Sequence, residues 1–154
     1  QPQTGIYKHY EEIKIISTDI AKQCEFTLDS SGSYIDATIF CIPRNDLYLL
    51  GVLNSKLIEL YYKSISSTIR GDFLRFKKIY LDMLPIKIAS MTQKKQVEDI
   101  VTEIFKLTKS SDYLENIDKQ MEVNRYETQI DSLVYSIYGL SDNEIRILES
   151  VTND

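Results

Sequence analysis

The period of the hydrophobic pattern changes once along the chain, close to Asp46. Before that residue, apolar and polar residues alternate in short runs, of which 12–17 and 24–28 are the clearest, and such alternation is typical of half-buried β-strands. After it, apolar residues recur every three or four positions, as they do in amphipathic helices. Because the strands precede the helices instead of alternating regularly with them, the pattern predicts an α+β fold and argues against a doubly wound parallel sheet.

A third strand candidate covers residues 34–42 and stops at the turn that follows, 43–46. Together the three runs predict a small mixed or antiparallel sheet with helices packed on it. Cys24 and Cys41 fall on two of these runs, which allows them to lie on paired strands. That both are simply small buried residues is a simpler interpretation than a metal site or a redox pair. Two cysteines are also too few for a disulfide framework.

The helical pattern is interrupted at recognisable capping residues. Asn54-Ser55 interrupts the first helix and can cap a second helical piece that starts near Lys56, and we interpret Asn54 as a cap or a kink. Gly139 is a typical C-terminal stop, and Ser141 with Glu144 has the spacing of a capping box. The predicted helices cover 46–65, 93–109, 114–121, 126–137 and a last segment that begins after Ser141 and ends near Val151.

This organisation predicts two parts. An α+β domain is expected over residues 1–90, and a helical C-terminal appendage over 91–154. The apolar stripes of the helices, including the one formed by Leu114, Ile117 and Met121, are interpreted as packing surfaces.

Charge is distributed unevenly along the chain. Residues 63–95 carry 8 basic and 2 acidic side chains, a net charge of +6, although the whole chain has a net charge of −5. A basic stretch in an acidic chain can create a local positive potential where a polyanion docks. From charge alone, however, the simpler explanation is a solvated surface segment that carries lysines.

Several classes of site are excluded by what the sequence lacks. The five glycines never cluster into a dinucleotide or phosphate-binding loop, and His9 is the one histidine. We therefore predict no catalytic, cofactor-binding or metal-binding residues in this chain. No apolar run approaches the roughly 18 residues of a membrane span, and no signal peptide is visible, so a cytoplasmic location is expected. Since no initiator methionine is present, we expect the chain to be a piece of a longer protein.

Three motifs carry a resemblance to a known family. The first is a helix with a central Leu-Asn-Ser, at Tyr48–Lys63. The second is a segment that contains Arg-Gly, at Thr68–Lys78, and the third is the exit Leu-Pro-Ile at Leu84–Ile86. The strand at 14–16, the segments 26–29 and 32–34, and the tail at 130–140 with 144–145 are similar as well. Together they resemble the TaqI-like C-terminal specificity domain of type IIG restriction-modification enzymes and adenine-specific DNA methyltransferases.

This resemblance implies contacts with double-stranded DNA, and the basic stretch supplies candidates for them. Lysines suit phosphates, whereas the arginine fork matches two acceptors of guanine. The candidate DNA-binding residues are Arg70, Arg75, Lys77, Lys78, Ser67, Thr68 and Asp72, and a second candidate group is Ser33 and Tyr34 beside Gly32.

Each of these candidates also has a structural interpretation. The basic residues can form surface salt bridges with the acidic tail, and Arg75 can be held by Asp72 or Asp82. Phe73, Phe76 and Tyr80 are interpreted as core residues and not as platforms for base stacking.

Two functional hypotheses follow. The first is a non-catalytic DNA-recognition domain of a restriction-modification enzyme, with S-adenosylmethionine and Mg expected only in the parent protein, whose methyltransferase and nuclease domains would be its partners. The second is a protein-interaction module that uses the basic segment and the acidic helical tail. Salt-dependent binding to duplex DNA distinguishes the two.

Overall fold

The computed structural model describes residues 11–36, 38–69 and 73–152, and these residues form an α+β fold with antiparallel sheets. The predicted fold class is therefore confirmed. The strands are short, and in chain order they are β1 (Lys14–Thr18), β2 (Ile20–Ala21), β3 (Thr27–Asp29), β4 (Ile39–Ile42), β5 (Thr68–Ile69) and β6 (Phe73–Arg75).

Most of the described helices lie where the periodicity predicted them, but the predicted segments 114–121 and 126–137 fall largely on one helix, and the helix at Lys78–Leu81 was not predicted. They are α1 (Leu47–Leu53), α2 (Lys56–Ile65), α3 (Lys78–Leu81), α4 (Met91–Thr108), α5 (Ile117–Tyr138) and α6 (Asp142–Thr152), with a 3₁₀ turn at Tyr113–Glu115. The predicted break lies between α1 and α2, but Ser55 makes the capping contacts. Its buried hydroxyl donates to the carbonyl of Val52 at 2.7 Å and accepts from the N–H of Ile58 at 3.5 Å. Asn54 is exposed.

The strands form two three-stranded antiparallel sheets. The first has the order β3–β1–β4 and the second the order β2–β6–β5. Cys41 pairs with Ile16 across the first sheet. Cys24 is buried in the loop before β3, so the predicted position of the two cysteines on paired strands is wrong. The strand begins at Thr27, three residues later than the alternation suggested, and β3 and β4 each pair with β1 and not with each other.

The chain divides into two compact units. The sheet unit contains the residues up to Asp46 together with Tyr61–Leu84, and the helical unit contains Leu47–Leu60 together with the residues from Pro85 onwards. Helix α2 therefore contributes to both. The predicted domain boundary near residue 90 stays a prediction.

Aromatic packing forms the core of the sheet unit. Phe76 is buried between Phe26, which it meets edge-on at 5.2 Å between ring centroids, and Tyr62, on which it stacks at 4.9 Å. Tyr80 meets Tyr62 edge-on at 6.3 Å. Phe76 is thus a core residue, as predicted, whereas Tyr80 and Phe73 are half-buried.

A close helix contact organises the helical unit. A Cβ atom placed on Gly51 would lie 2.6 Å from Cγ1 of Val97 and 3.1 Å from Cγ2 of Val101. Only glycine lets α1 approach α4 this closely, because any larger residue would overlap a buried valine. This contact explains the glycine in the Leu-Gly-Val-Leu-Asn-Ser motif.

The predicted end signals of the last helices are confirmed. Gly139 ends α5 in the left-handed conformation with φ +73°. The Ser141 N–H donates to the Glu144 carboxylate at 2.8 Å, and the Glu144 N–H donates to the Ser141 hydroxyl at 3.4 Å, which is the predicted capping box.

One apolar stripe does not pack as predicted. Leu114, Ile117 and Met121 are 86%, 71% and 64% exposed. The buried face of α5 instead includes Val123 and Ile130. The stripe of Leu114, Ile117 and Met121 is followed along α5 by polar residues, so it does not continue as an apolar face that could pack. Within 11–36, 38–69 and 73–152, no helix is both long and apolar enough to cross a membrane.

Candidate nucleic-acid interface

The second sheet presents one buried and one accessible face. Leu74 and its partner Ala21 are buried. Strand side chains alternate between faces, so Arg75 and its partner Ile20 lie on the other face, where Ile20 is 46% exposed. The Lys22 ammonium group lies 5.7 Å from the centroid of the Phe73 ring. We call Ile20, Lys22, Phe73 and Arg75 the sheet face.

The predicted basic segment continues from this face. We call Arg75, Lys77 and Lys78 the basic edge; all three are exposed. The buried hydroxyl of Tyr62 donates to the carbonyl of Arg75 at 2.8 Å and accepts from the N–H of Lys77 at 3.3 Å. Burial raises the pKa of Tyr62 to about 12, so this hydroxyl keeps its proton near neutral pH. The backbone of the basic edge is thus fixed from inside the unit.

The three cations of the basic edge differ in their partners. Lys78 forms an ion pair with Asp82 one helical turn away. Nε of Arg75 lies 3.5 Å from a carboxylate oxygen of Asp19. Among the residues that the structure describes, Lys77 has no ion-pair partner. Its charge is therefore not offset locally.

These contacts revise the predicted partners of Arg75. Asp82 pairs with Lys78 instead, and the nearby carboxylate is that of Asp19, which no local pattern connects with Arg75. Asp72 and Arg70 lie outside the described residues. The structure therefore does not support Asp82 as the partner of Arg75, and the interpretation with Asp72 stays a prediction.

Thr68 begins the outer strand of the second sheet, and Ser67 directly precedes it. Ser67 is exposed, and Thr68 contributes its backbone to β5, opposite Leu74. Of the predicted site residues, Thr68 and Arg75 thus belong to neighbouring strands of one sheet, β5 and β6.

The second candidate group belongs to the first sheet, in the turn that follows β3. Asp29 accepts hydrogen bonds from the N–H of Ser31 at 2.9 Å and from its hydroxyl at 2.6 Å. The Ser31 hydroxyl lies 2.7 Å from that of Ser33, and Gly32 has φ +71°. Tyr34 follows with 62% of its surface exposed. This turn is held by its own side chains.

A buried ion pair attaches the turn to the sheet. Nζ of Lys14, which is fully buried on β1, lies 2.5 Å from Asp29. The hydrogen bond from Lys14, with that from Ser31, lowers the pKa of Asp29 to about 2. The Asp29 carboxylate thus joins Lys14 of β1 to Ser31 of the turn.

A second polar cluster lies in the helical unit. The Asp131 carboxylate accepts the N–H of Lys56 at 2.9 Å, so a residue of α5 caps α2. Glu149 accepts from Lys56 Nζ and from the Tyr135 hydroxyl, both at 2.7 Å. Burial raises the pKa of Asp131 to about 6, and it also raises the pKa of Tyr135. These bonds connect three helices, which is a structural role.

The exit motif is held by two tyrosines. The Tyr138 hydroxyl donates to the carbonyl of Pro85 at 2.8 Å and accepts from the N–H of Lys87 at 3.1 Å. The Tyr48 hydroxyl donates to the carbonyl of Lys87 at 2.7 Å. Motif residues far apart in sequence thus meet at this segment.

Sequence reasoning missed Asp19, Lys22 and Tyr62. Strand β2 is two residues long, too short for alternation to place Lys22 on a face. From the sequence, Tyr62 could be recognised only as an apolar residue of a helix, and nothing indicated that its hydroxyl group bonds the basic edge. Within the part of the chain that the structure describes, no three histidine, cysteine, aspartate or glutamate side chains cluster in a way that could hold a metal ion.

Comparison with known proteins identifies relatives of this chain. The family model described as "TaqI-like C-terminal specificity domain" matches residues 2–86. A Methanocaldococcus jannaschii protein named "Putative type II restriction enzyme and methyltransferase" is 38% identical over 99 residues. The match covers 62% of this chain and 8% of that protein.

Proposed function

The chain belongs to the family of TaqI-like C-terminal specificity domains, and we propose that it recognises a DNA sequence for a type II restriction-modification enzyme. The observation that carries this proposal is the coincidence of the family match with the basic edge, since Arg75, Lys77 and Lys78 all lie within residues 2–86. A specificity domain needs such a cationic surface, because phosphate contacts supply much of its affinity for duplex DNA.

The fixed backbone of the basic edge supports this function. A surface that reads base edges must hold its side chains in register with a groove, and less entropy is lost on binding when the backbone is already ordered. Tyr62 provides that order by bonding both Arg75 and Lys77. The turn at Asp29–Ser33 is held by side-chain contacts of Asp29 with Ser31 and with Lys14.

The basic edge divides into two roles. Lys77 and Lys78 are proposed to contact phosphates, since an ammonium group is a point charge without a directional fork. Arg75 is proposed to read a base, because a guanidinium group can donate two hydrogen bonds to guanine in the major groove. Ser67 and Ser33 with Tyr34 are proposed as flanking contacts, and Arg70, Thr68 and Asp72 stay in the proposal on sequence grounds.

Catalysis is proposed for the rest of the enzyme. This chain spans only 8% of the curated relative that it matches. The parent protein is proposed to be an adenine-specific DNA methyltransferase and endonuclease that uses S-adenosylmethionine and Mg, acting in the cytoplasm. The chain itself is proposed to contribute binding only, since its sequence contains no glycine-rich cofactor loop.

Binding to duplex DNA is the test of this function. The whole 154-residue chain is incubated with a pool of duplexes that share fixed ends and a randomised centre, and the bound fraction is sequenced. We expect one short sequence to be enriched and binding to weaken as salt rises. Salt-independent binding, or no binding together with capture of an acidic protein, would favour the alternative of a protein-interaction module.

A further inference from the structure

Asp19 has a fixed position between the two sheets. It separates β1 of the first sheet from β2 of the second. Its N–H donates to the carbonyl of Thr38 at 2.7 Å, and its carbonyl accepts from the N–H of Phe76 at 2.8 Å. Both backbone groups of Asp19 are thus bonded, and its carboxylate extends from a rigid site.

Arg75 is fixed just as firmly on the neighbouring strand. It pairs with Ile20 in the antiparallel register, and its carbonyl accepts the Tyr62 hydroxyl. The Asp19 carboxylate faces Nε of Arg75 at 3.5 Å, while 44% of the Arg75 side chain and 30% of the Asp19 side chain remain accessible to solvent. The pair therefore lies at the surface, on backbone that is hydrogen-bonded on both sides of the contact.

From this geometry we propose that Asp19 is a positioning residue that makes Arg75 a sequence-reading side chain; the proposal rests on the proposed function. A guanidinium group has five N–H donors. With the carboxylate beside Nε, the four donors of the two terminal nitrogens remain for a ligand with two acceptors. Guanine presents such a pair, N7 and O6, in the major groove.

The charge of Asp19 gives the pair a second property. A carboxylate beside Arg75 offsets its positive charge and repels a phosphate that approaches, so Arg75 contributes little to binding that ignores sequence. Lys77 has no ion-pair partner among the described residues, and it supplies that general attraction instead. Arg75 is thus assigned to sequence specificity and Lys77 to general affinity. This division lowers the affinity for wrong sites relative to the correct one.

Removal of the Asp19 charge separates these effects. The 154-residue chain with Asp19→Asn is compared with the wild type on its enriched duplex and on a duplex of scrambled sequence. We expect discrimination between the two duplexes to fall by about fivefold or more, within the range of one bidentate base contact. Affinity for the scrambled duplex should rise, and the salt dependence should become steeper, since Arg75 becomes an uncompensated cation.

Asp19→Glu is the second variant, because it keeps the charge and moves the carboxylate by one methylene group. We expect it to lose discrimination while its affinity for the scrambled duplex stays unchanged. The pair Arg75→Ala and Asp19→Asn/Arg75→Ala completes the set. In the absence of Arg75, the Asp19 substitution should not change discrimination further. If Asp19 had a merely structural role, its substitution would still change discrimination in the Arg75→Ala background.

The outcomes separate this inference from the function on which it rests. If Arg75→Ala abolishes discrimination while Asp19→Asn and Asp19→Glu keep it, the positioning role is wrong and the DNA-recognition function stands. If the wild type enriches no sequence, the proposed function fails first. Melting temperatures of all variants, close to that of the wild type, establish that each result concerns a folded protein.

Discussion

The hydroxyl group of Tyr62 bonds two members of the basic edge, donating to the carbonyl of Arg75 at 2.8 Å and accepting from the N–H of Lys77 at 3.3 Å. A buried ring on α2 thereby sets the backbone of a surface segment 13 residues further along the chain. The rigidity of the proposed interface thus depends on a side chain that cannot itself touch DNA, since Tyr62 is fully buried.

Tyr62→Phe should destabilise the sheet unit. The ring would still stack on Phe76, but the Arg75 carbonyl and the Lys77 N–H would lose a partner, at a cost of about 1–3 kcal/mol. Urea denaturation measures this change. Tyr61→Phe is the matched control, because the neighbouring Tyr61 is exposed, and it should leave the unfolding free energy nearly unchanged. Equal effects of the two substitutions would contradict the anchoring role of Tyr62.

Gly51→Ala should destabilise the helical unit, although alanine is the better helix former. The gain in helix propensity is about 1 kcal/mol, whereas forcing a methyl group into a packed core costs about 1–3 kcal/mol. The new Cβ would lie 2.6 Å from Cγ1 of the buried Val97. Val97→Ala should make room for the new methyl group, so Gly51→Ala should cost less stability in a Val97→Ala background than in the wild type. A double-mutant cycle of melting temperatures measures this difference. A Gly51→Ala variant more stable than the wild type would contradict the close contact.

Asp131 should make stability depend on pH between about 4 and 6. Burial raises its pKa to about 6, so the native state holds the proton more tightly than the unfolded chain does. This stabilising contribution is fully present below the unfolded pKa of about 3.9 and is lost as the pH rises through 6. Asp131→Asn keeps an acceptor for the Lys56 N–H and does not titrate.

The unfolding free energy of Asp131→Asn, relative to the wild type, should therefore rise from pH 4 to pH 6 and then level off. Urea denaturation at a series of pH values measures it. Asp131→Ala is the control for the lost cap, and it should be less stable than Asp131→Asn throughout. A constant difference between Asp131→Asn and the wild type across this range would contradict the pKa shift.

Local signals were the predictable part of this fold. Gly139 and the Ser141–Glu144 box act within one helical turn, so their residue types alone predict where α5 ends and α6 begins. The break before α2 is similar, although its cap is Ser55 and not Asn54. The change of period near Asp46 likewise predicts the fold class, because it depends on many residues together.

Contacts between distant residues could not be predicted in this way. Asp131 caps a helix 75 residues earlier in the chain, and Asp19 reaches Arg75 only because β2 and β6 are neighbours. Sequence reasoning selected Arg75, Lys77 and Lys78 from their charge, but charge alone does not distinguish a paired cation from one without a local partner. That distinction requires the three-dimensional arrangement of the acids.

The central claim is that Lys77 and Lys78 of the basic edge contact the phosphates of duplex DNA, and the salt dependence of binding by Lys77→Ala tests it most directly. The slope of log affinity against log salt should fall by about one for this variant, similarly on every sequence. For Lys78→Ala the slope should fall by the same amount or less, because Lys78 already forms an ion pair with Asp82. Lys106→Ala, in the helical unit, should keep the wild-type slope. Unchanged slopes and affinities for Lys77→Ala and Lys78→Ala would contradict the assignment of this edge to DNA.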